Sequence, residues 1–251
     1  MKLEDLFADP TRTRKPRDYG LTHVLDKGLS VAEVQGLVEV AAPYVDIVKF
    51  GWATSVVVQN LDAKLEVFRH YGIDVCCGGS LFELAVRRNR VDDYVAFLKD
   101  HGFRLVEISD GVIELEHTQK CRYIERLAKD FKVLSEVGSK DAQVVVAPFR
   151  WVAQIKSELA AGAWKVVTEG RESGTVGLYR ESGEIRTGLI EEIEVEIDPK
   201  NLIFEAPQKA QQVWLVKHFG NNVNLGNIPP QEVVSVETIR QGLRADTMLT
   251  R

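Results

Sequence analysis

THVLDK (22–27), DIVKF (46–50), IDVCC (73–77), RLVEISD (104–110), KVLSEV (132–137), KVVTE (165–169), LIFE (202–205) and NVNLG (222–226) are eight short runs rich in β-branched and apolar residues, and six of them carry a charge in the last or next-to-last position. The stretch between each pair reads mostly as helix. Eight β/α units in a chain of 251 residues is the count and length of a (β/α)8 barrel. Such a barrel gathers its chemistry at the C-terminal ends of its strands, and here those ends carry Lys27, Lys49, Glu107, Glu136, Glu169 and Glu205. A buried strand has little use for a charge, whereas a barrel mouth does.

Local signals agree with this division. Ser30 and Glu33 form a Ser-x-x-Glu capping pair after the first strand, and Ser80 with Glu83 repeats it after the third. Gly72 and Gly102 stand where helices should stop, and Asn89–Arg90 divides the helical stretch after the third strand. Residues 1–20 read as an N-terminal arm, with Arg12 to Arg17 as a solvated basic stretch, and residues 21–251 as one barrel domain. Two connections are long for βα loops, 138–149 and the glycine-rich 170–188, and both are expected to work as lids or clamps.

Composition excludes several classes. With 45% hydrophobic and 27% charged residues the chain is globular, and its formal net charge of −5 argues against general affinity for nucleic acid. No apolar run reaches the length of a membrane span, and residues 1–18 lack the apolar segment of a secretion signal. Cys76, Cys77 and Cys121 have no metal-type spacing, so a reducing cytoplasm without a disulfide framework is expected. His23 lies near the start of its strand and the other histidines fall in helices or at their ends, which speaks against a histidine nucleophile system or a histidine-rich zinc site.

The strand ends then define the chemistry. Glu107, Glu136, Glu169 and Glu205, with Asp110 close by, would repel one another at one mouth unless neutralised by salt bridges or by a divalent cation. An all-oxygen set favours a hard ion, Mg²⁺ or Mn²⁺. Lys27, Lys49, Lys140, Arg171, Lys209 and Arg244 supply cations on or beyond strand ends, which suits phosphate or carboxylate. In 224–244 a short extra helix is expected between the eighth strand and the last helix. Asn224, Gly226 and Arg244 are placed there as a phosphate site.

LDKGL (25–29), DIVKFGWATS (46–55), GGSLFELA (78–85), VEISDG (106–111), SEVGSKD (135–141), EGRESG (169–174), FEAPQKAQQ (204–212), NLGNI (224–228) and ETIRQGLRADT (237–247) together resemble the phosphosulfolactate synthase family. The resemblance runs from about Gly20 to Thr247. It implies a cytoplasmic (β/α)8 lyase that uses Mg²⁺ to add sulfite to C3 of phosphoenolpyruvate, giving (2R)-phospho-3-sulfolactate, an intermediate of coenzyme M biosynthesis. It also implies that Lys140 protonates C2. With the reaction so defined, the strand-end charges place Lys27 and Lys49 beside Lys140 as catalytic residues, near sulfite and the substrate carboxylate, and Arg171 and Lys209 as substrate-binding residues.

Two positions depart from the family pattern: Ser139 replaces the first of two loop lysines, and Cys77 replaces a proline. A related plant heat-stress branch lacks several of these motifs, whereas this chain keeps DKG, KFGW, EGRESG and EAPQK, as the catalytic branch does. Small-molecule substrates and a homo-oligomer are expected, with neither nucleic acid nor membrane as partner. The competing readings are another Mg²⁺-dependent barrel enzyme acting on a small phosphorylated acid, and a non-catalytic barrel that has lost its mouth charges.

Overall fold

The computed structural model describes residues 3–139 and 146–248. Eight parallel strands alternate with helices: β1 (Thr22–Asp26), β2 (Ile47–Phe50), β3 (Asp74–Cys77), β4 (Leu105–Ile108), β5 (Lys132–Val137), β6 (Lys165–Thr168), β7 (Leu202–Glu205) and β8 (Leu225–Ile228). They form one sheet in the order β3-β2-β1-β8-β7-β6-β5-β4, the wrapped order of a (β/α)8 barrel. β3 and β4 lie side by side without a backbone ladder among the described residues. Side chains close this seam. Glu107 Oε1 accepts from Gly79 N at 2.7 Å, and Glu83 accepts from Ser109 Oγ and from the amides of Val112 and Ile113. Gly79 permits the approach, because a Cβ there would sit 2.1 Å from Ser109 Oγ.

The shell is built by α1 (Leu3–Phe7), α2 (Val31–Ala41), α3 (Leu61–His70), α4 (Gly79–Arg87), α5 (Val91–Asp100), α6 (His117–Leu127), α7 (Pro148–Ala160), α8 (Thr187–Glu196), α9 (Lys209–Phe219) and α10 (Val233–Arg240). The Ser30–Glu33 capping box opens α2 as expected. The Ser80–Glu83 pair does not cap α4, which starts from Gly78. Glu83 is instead turned to the β4 loop, where two buried amides need an acceptor. The break between α4 and α5 falls at Asn89, in the left-handed region with φ 54°.

Every second residue along a strand faces the same side of it. In β2 these are Ile47 and Lys49, in β4 Leu105 and Glu107, and in β7 Ile203 and Glu205. The lower members, with Leu21, Cys76, Leu134 and Val167, pack into one apolar layer inside the barrel. The outward-facing residues form the larger core beneath the helices, with Val48, Phe50, Val106, Val166 and Phe204 among them.

The eighth strand starts three residues later than the sequence suggests, at Leu225. Asn222 and Asn224 are not strand residues: Asn222 Oδ1 accepts from Thr13 N and Arg12, and Asn224 Oδ1 accepts from Gly20 N and Leu21 N. They fasten the N-terminal arm across the barrel floor. Arg12, only 6% exposed, pairs with Glu237 at 3.0 Å, so the basic stretch is not a solvated arm throughout.

Candidate active site

A cavity of about 260 Å³ opens at the C-terminal end of the barrel, with Lys49, Glu107, Glu136, Glu169, Glu205 and Asn227 in its wall. Its size suits a small molecule of a few heavy atoms. Each charged residue stands two positions beyond an apolar partner of the inner layer. The strand alternation that buries Ile47, Leu105, Leu134, Val167 and Ile203 therefore also points Lys49 and the four glutamates into the mouth.

Lys49 is the centre. Its Nζ lies 2.9 Å from Glu205 Oε1, 3.3 Å from Glu107 Oε2 and 3.9 Å from Glu136 Oε2, with all four side chains buried. Burial alone would lower its basicity, but Glu107, Glu205 and Glu136 outweigh burial and hold the ammonium well above the usual lysine range. Glu107 behaves oppositely. Burial pushes its carboxyl up to about 7, with Glu136 adding to the rise and Lys49 opposing it. The described wall carries Glu107, Glu136, Glu169, Glu172 and Glu205 against Lys49 and Arg171, an excess of three negative charges when all are ionised.

Glu205 organises the long loop after β6. Its Oε2 accepts from Gly170 N and Arg171 N, each at 2.9 Å, while Oε1 holds Lys49. Arg171 has φ 58°, and its amide also reaches Glu169 Oε1 at 2.7 Å. Beyond this anchor the loop is packed, not open. Val176, Leu178 and Tyr179 are buried, and Gln211 donates to the carbonyls of Gly174 and Gly183. Gly177 (φ 61°) lets the chain return so closely that a Cβ would meet Glu169 O at 2.0 Å. This loop is a fixed cap on the rim, and the exposed Arg171 side chain is what it presents to the cavity.

Several expected site residues are set apart from this cavity. Asp110 pairs with Lys120 at 2.9 Å in the helical shell, where burial raises its carboxyl against the pull of that lysine. Lys209 and Arg244 both turn to Asp246, at 2.9 and 3.5 Å, and neither lines the cavity. Asn224 is at the opposite end of the barrel, its amide spent on the backbone of Gly20, Leu21 and Leu202. Gly226 is a packing position, since a Cβ would stand 3.0 Å from Ile203 Cγ2 and 3.1 Å from His23 Nδ1. The short helix after β8, Pro230–Glu232, contributes no cavity residue. Lys27 stays at the rim, its Nζ 5.3 Å from the Trp52 ring centre. Lys140 lies outside the described residues.

Trp52 and Asn227 are among the cavity residues that sequence reasoning missed. Trp52, 56% exposed with φ 52°, stands at the lip. Asn227, 4% exposed with φ 53°, has a side-chain Oδ1 without a hydrogen-bond partner among the described residues. Reading the eighth strand as LGNI in place of NVNLG would have put Asn227 at a strand end.

Residues 10–246 match the family described as (2R)-phospho-3-sulfolactate synthase (ComA). The phosphosulfolactate synthase of Methanothermobacter thermautotrophicus is 41% identical, over 96% of this chain and 96% of its own length. That of Bacillus subtilis is 39% identical, over 95% and 96%. Among solved structures, 3-hexulose-6-phosphate synthase from Salmonella typhimurium superposes with a TM-score of 0.58 at 14% identity, covering 88% of this chain and 98% of its own, a likeness of fold alone. With the family motifs spread over all eight strand ends and identity near 40% along almost the whole length, the chain belongs to the phosphosulfolactate synthase family.

Proposed function

We propose that this chain adds sulfite to C3 of phosphoenolpyruvate to form (2R)-phospho-3-sulfolactate with the help of Mg²⁺. The observation that carries the reading is the acid-rich mouth around Lys49, in a cavity of about 260 Å³. Taken alone, that mouth repels an anionic substrate: two like charges 4 Å apart cost about 4 kcal/mol at an effective dielectric of 20. A divalent cation reverses the sign, and a buried all-carboxylate wall fits a hard ion.

Glu107, Glu136 and Glu169 are the residues we assign to hold it. All three line the cavity, whereas Asp110 is held by Lys120 outside it, and Glu205 anchors both Lys49 and the amides of Gly170 and Arg171. Magnesium bound there supplies a fixed positive charge to the substrate carboxylate as negative charge accumulates on it.

In the reaction, the sulfur lone pair of sulfite forms the C3–S bond, and the C2–C3 π pair moves towards C2 and the carboxylate. A proton then adds to C2. Lys49 keeps the carboxylates in register for this, and Arg171, fixed at its backbone, offers a planar fork to one of the two anions. Lys140 is our candidate donor to C2.

Three free cysteines fit a reducing cytoplasm. The test is phosphorus and proton NMR of phosphoenolpyruvate and sulfite with the protein, with and without Mg²⁺. A new phosphorylated sulfonate that forms with Mg²⁺ and disappears with chelator is expected; unchanged phosphoenolpyruvate under both conditions overturns the reading. Lys140→Ala should lower turnover far more than substrate binding, and near-normal turnover reassigns the proton donor.

A further inference from the structure

Below the acid-rich mouth lies a second group of metal-ligating side chains with different chemistry. His23 on β1, Cys76 on β3 and Glu107 on β4 each point into the barrel, and a ring nitrogen, the Sγ and a carboxylate oxygen all lie within 4.8 Å of one another. The three residues are 0%, 0% and 1% exposed. A separation of about twice a metal–ligand bond is what one ion spans, with bonds of about 2.0–2.1 Å to nitrogen and 2.3 Å to sulfur.

His23 adds an independent observation. Both its ring nitrogens are buried, and neither has a hydrogen-bond partner among the described residues. A buried polar group left unsatisfied costs about 1–3 kcal/mol. The strand order explains why no protein partner reaches it. Gly226, on the neighbouring β8, has no side chain, and a Cβ there would already stand 3.1 Å from Nδ1. On its other side β2 sets the apolar Ile47 opposite His23, and Lys49, two residues further on, is held by Glu205 and Glu107.

We propose that His23, Cys76 and Glu107 form a binding site for one borderline-soft divalent cation, of the Zn²⁺ or Co²⁺ class, inside the barrel beneath the catalytic mouth. Nitrogen, sulfur and oxygen donors from three strands suit such an ion and disfavour Mg²⁺, which takes oxygen donors almost alone. Local charge favours it as well, because the mouth above holds more carboxylates than cations. The ion enters through the cavity, since Glu107 belongs both to its wall and to the lower group. Sharing Glu107 also gives the site a consequence: an ion held by His23 and Cys76 withdraws that carboxylate from Lys49 and from any hard ion above, so soft cations inhibit the enzyme.

The experiment is a Co²⁺ titration of the full-length protein in excess Mg²⁺, followed by near-ultraviolet absorption, where thiolate-to-cobalt charge transfer appears. Expected is one equivalent of Co²⁺ per chain with that band. Cys76→Ser should abolish it, and His23→Leu should weaken Co²⁺ binding at least tenfold. Cys121→Ser should leave it unchanged. That control matters because Cys121 Sγ lies 3.9 Å from His117 Nε2 near the surface.

Absence of the band in the wild-type protein overturns the proposal and needs no variant to fold; it is the result expected if a buried water satisfies His23. A band that survives Cys76→Ser or vanishes with Cys121→Ser overturns it too. Zn²⁺ should inhibit sulfite addition at a concentration at least tenfold lower in the wild type than in Cys76→Ser. The band is read without turnover, so a chain that binds Co²⁺ through thiolate but makes no product sinks the proposed reaction alone, and an active chain without the band sinks this site alone.

Discussion

The two ends of this barrel are both rich in buried charge, yet they are built on opposite principles. At the floor each cation meets oxygens that answer it. Arg12 takes Glu237 in a two-pronged pair and the carbonyl of Gly20, Arg17 takes Asp46 the same way, and Lys15 reaches the carbonyl of Val45 at 2.7 Å. Arg240, 0% exposed, spends its guanidinium on the carbonyls of Leu21 and Val223. At the mouth one ammonium is shared among Glu205, Glu107 and Glu136, and a carboxyl is pushed to about 7. Matched charge fixes an N-terminal arm to a barrel; unmatched charge leaves electrostatic free energy for a ligand to claim. Burial alone does not separate the two ends; what differs is that each floor cation has oxygens of its own, whereas at the mouth several carboxylates share one ammonium.

The sharpest way to break this comparison is to remove one cation from each end. Lys49→Met should lower turnover by roughly 10²–10³-fold, the scale of losing a preorganised electrostatic group. Arg12→Met should cost about 3–5 kcal/mol of stability, since it leaves Glu237 buried and unpaired, while kcat per folded molecule holds. Urea unfolding beside steady-state kinetics separates them. If Arg12→Met loses turnover as heavily as Lys49→Met at equal folded fraction, the floor is not merely structural and the division fails.

Smaller effects sort the carboxylates. Glu107→Gln, Glu136→Gln and Glu169→Gln should each raise the Mg²⁺ concentration for half-maximal activity by at least about tenfold. Glu205→Gln should instead loosen the 170–171 backbone and the Lys49 contact, with a smaller change in metal response. Equal metal curves for all four variants place the cation elsewhere.

How far the sequence carried this picture depends on what each signal encodes. Strand alternation is local, so Ile-x-Lys in β2 and the Leu-x-Glu, Val-x-Glu and Ile-x-Glu triplets of β4 to β7 already told that Lys49 and four glutamates share one face. Charges beyond strand ends have no such constraint. Asp110, Lys209 and Arg244 have partners in the helical shell, on Lys120 and Asp246, that only the folded chain brings near. Asn224 failed for another reason. Val223 and Leu225 flank it in a strand-like alternation, so the run looked like a strand and moved the apparent strand end back from Asn227. His23 was read as too early in its strand to matter, although the β1–β2 register sets it beside Ile47, one inward-facing position below Lys49.

The pH response sharpens the mouth further. Glu107 binds its proton more tightly folded than unfolded, because its carboxyl rises from 4.5 to about 7. Below 4.5 it is protonated in both states and costs nothing. As pH climbs from 4.5 through 7 the folded state is penalised, by on the order of 3 kcal/mol at about 1.4 kcal/mol per unit. Metal-free protein should therefore unfold at lower urea at pH 8 than at pH 5.5. Glu107→Gln should flatten that difference, and so should Mg²⁺, which stabilises the ionised carboxylates. A metal-free wild type as stable at pH 8 as at pH 5.5 contradicts an acid-strained mouth.

The smallest expected effect concerns Arg171, where the two kinds of charge meet. Its backbone is held as firmly as anything at the floor, by Glu205 Oε2 and Glu169 Oε1, and its φ of 58° is a conformation that non-glycine residues rarely adopt. Its guanidinium is exposed at the cavity and has no ion-pair partner among the described residues. A fixed backbone with an uncommitted side chain suits a group waiting for an anion. Arg171→Lys keeps the charge and the backbone bonds but loses the fork that takes two oxygens at once. It should raise KM for sulfite or phosphoenolpyruvate several-fold, about 1 kcal/mol of binding, with kcat nearly unchanged and the unfolding midpoint unmoved. A loss of thermal stability with both KM values intact would make Arg171 a structural arginine of the floor type, and the anion would then have to be met by Lys27 at the opposite lip.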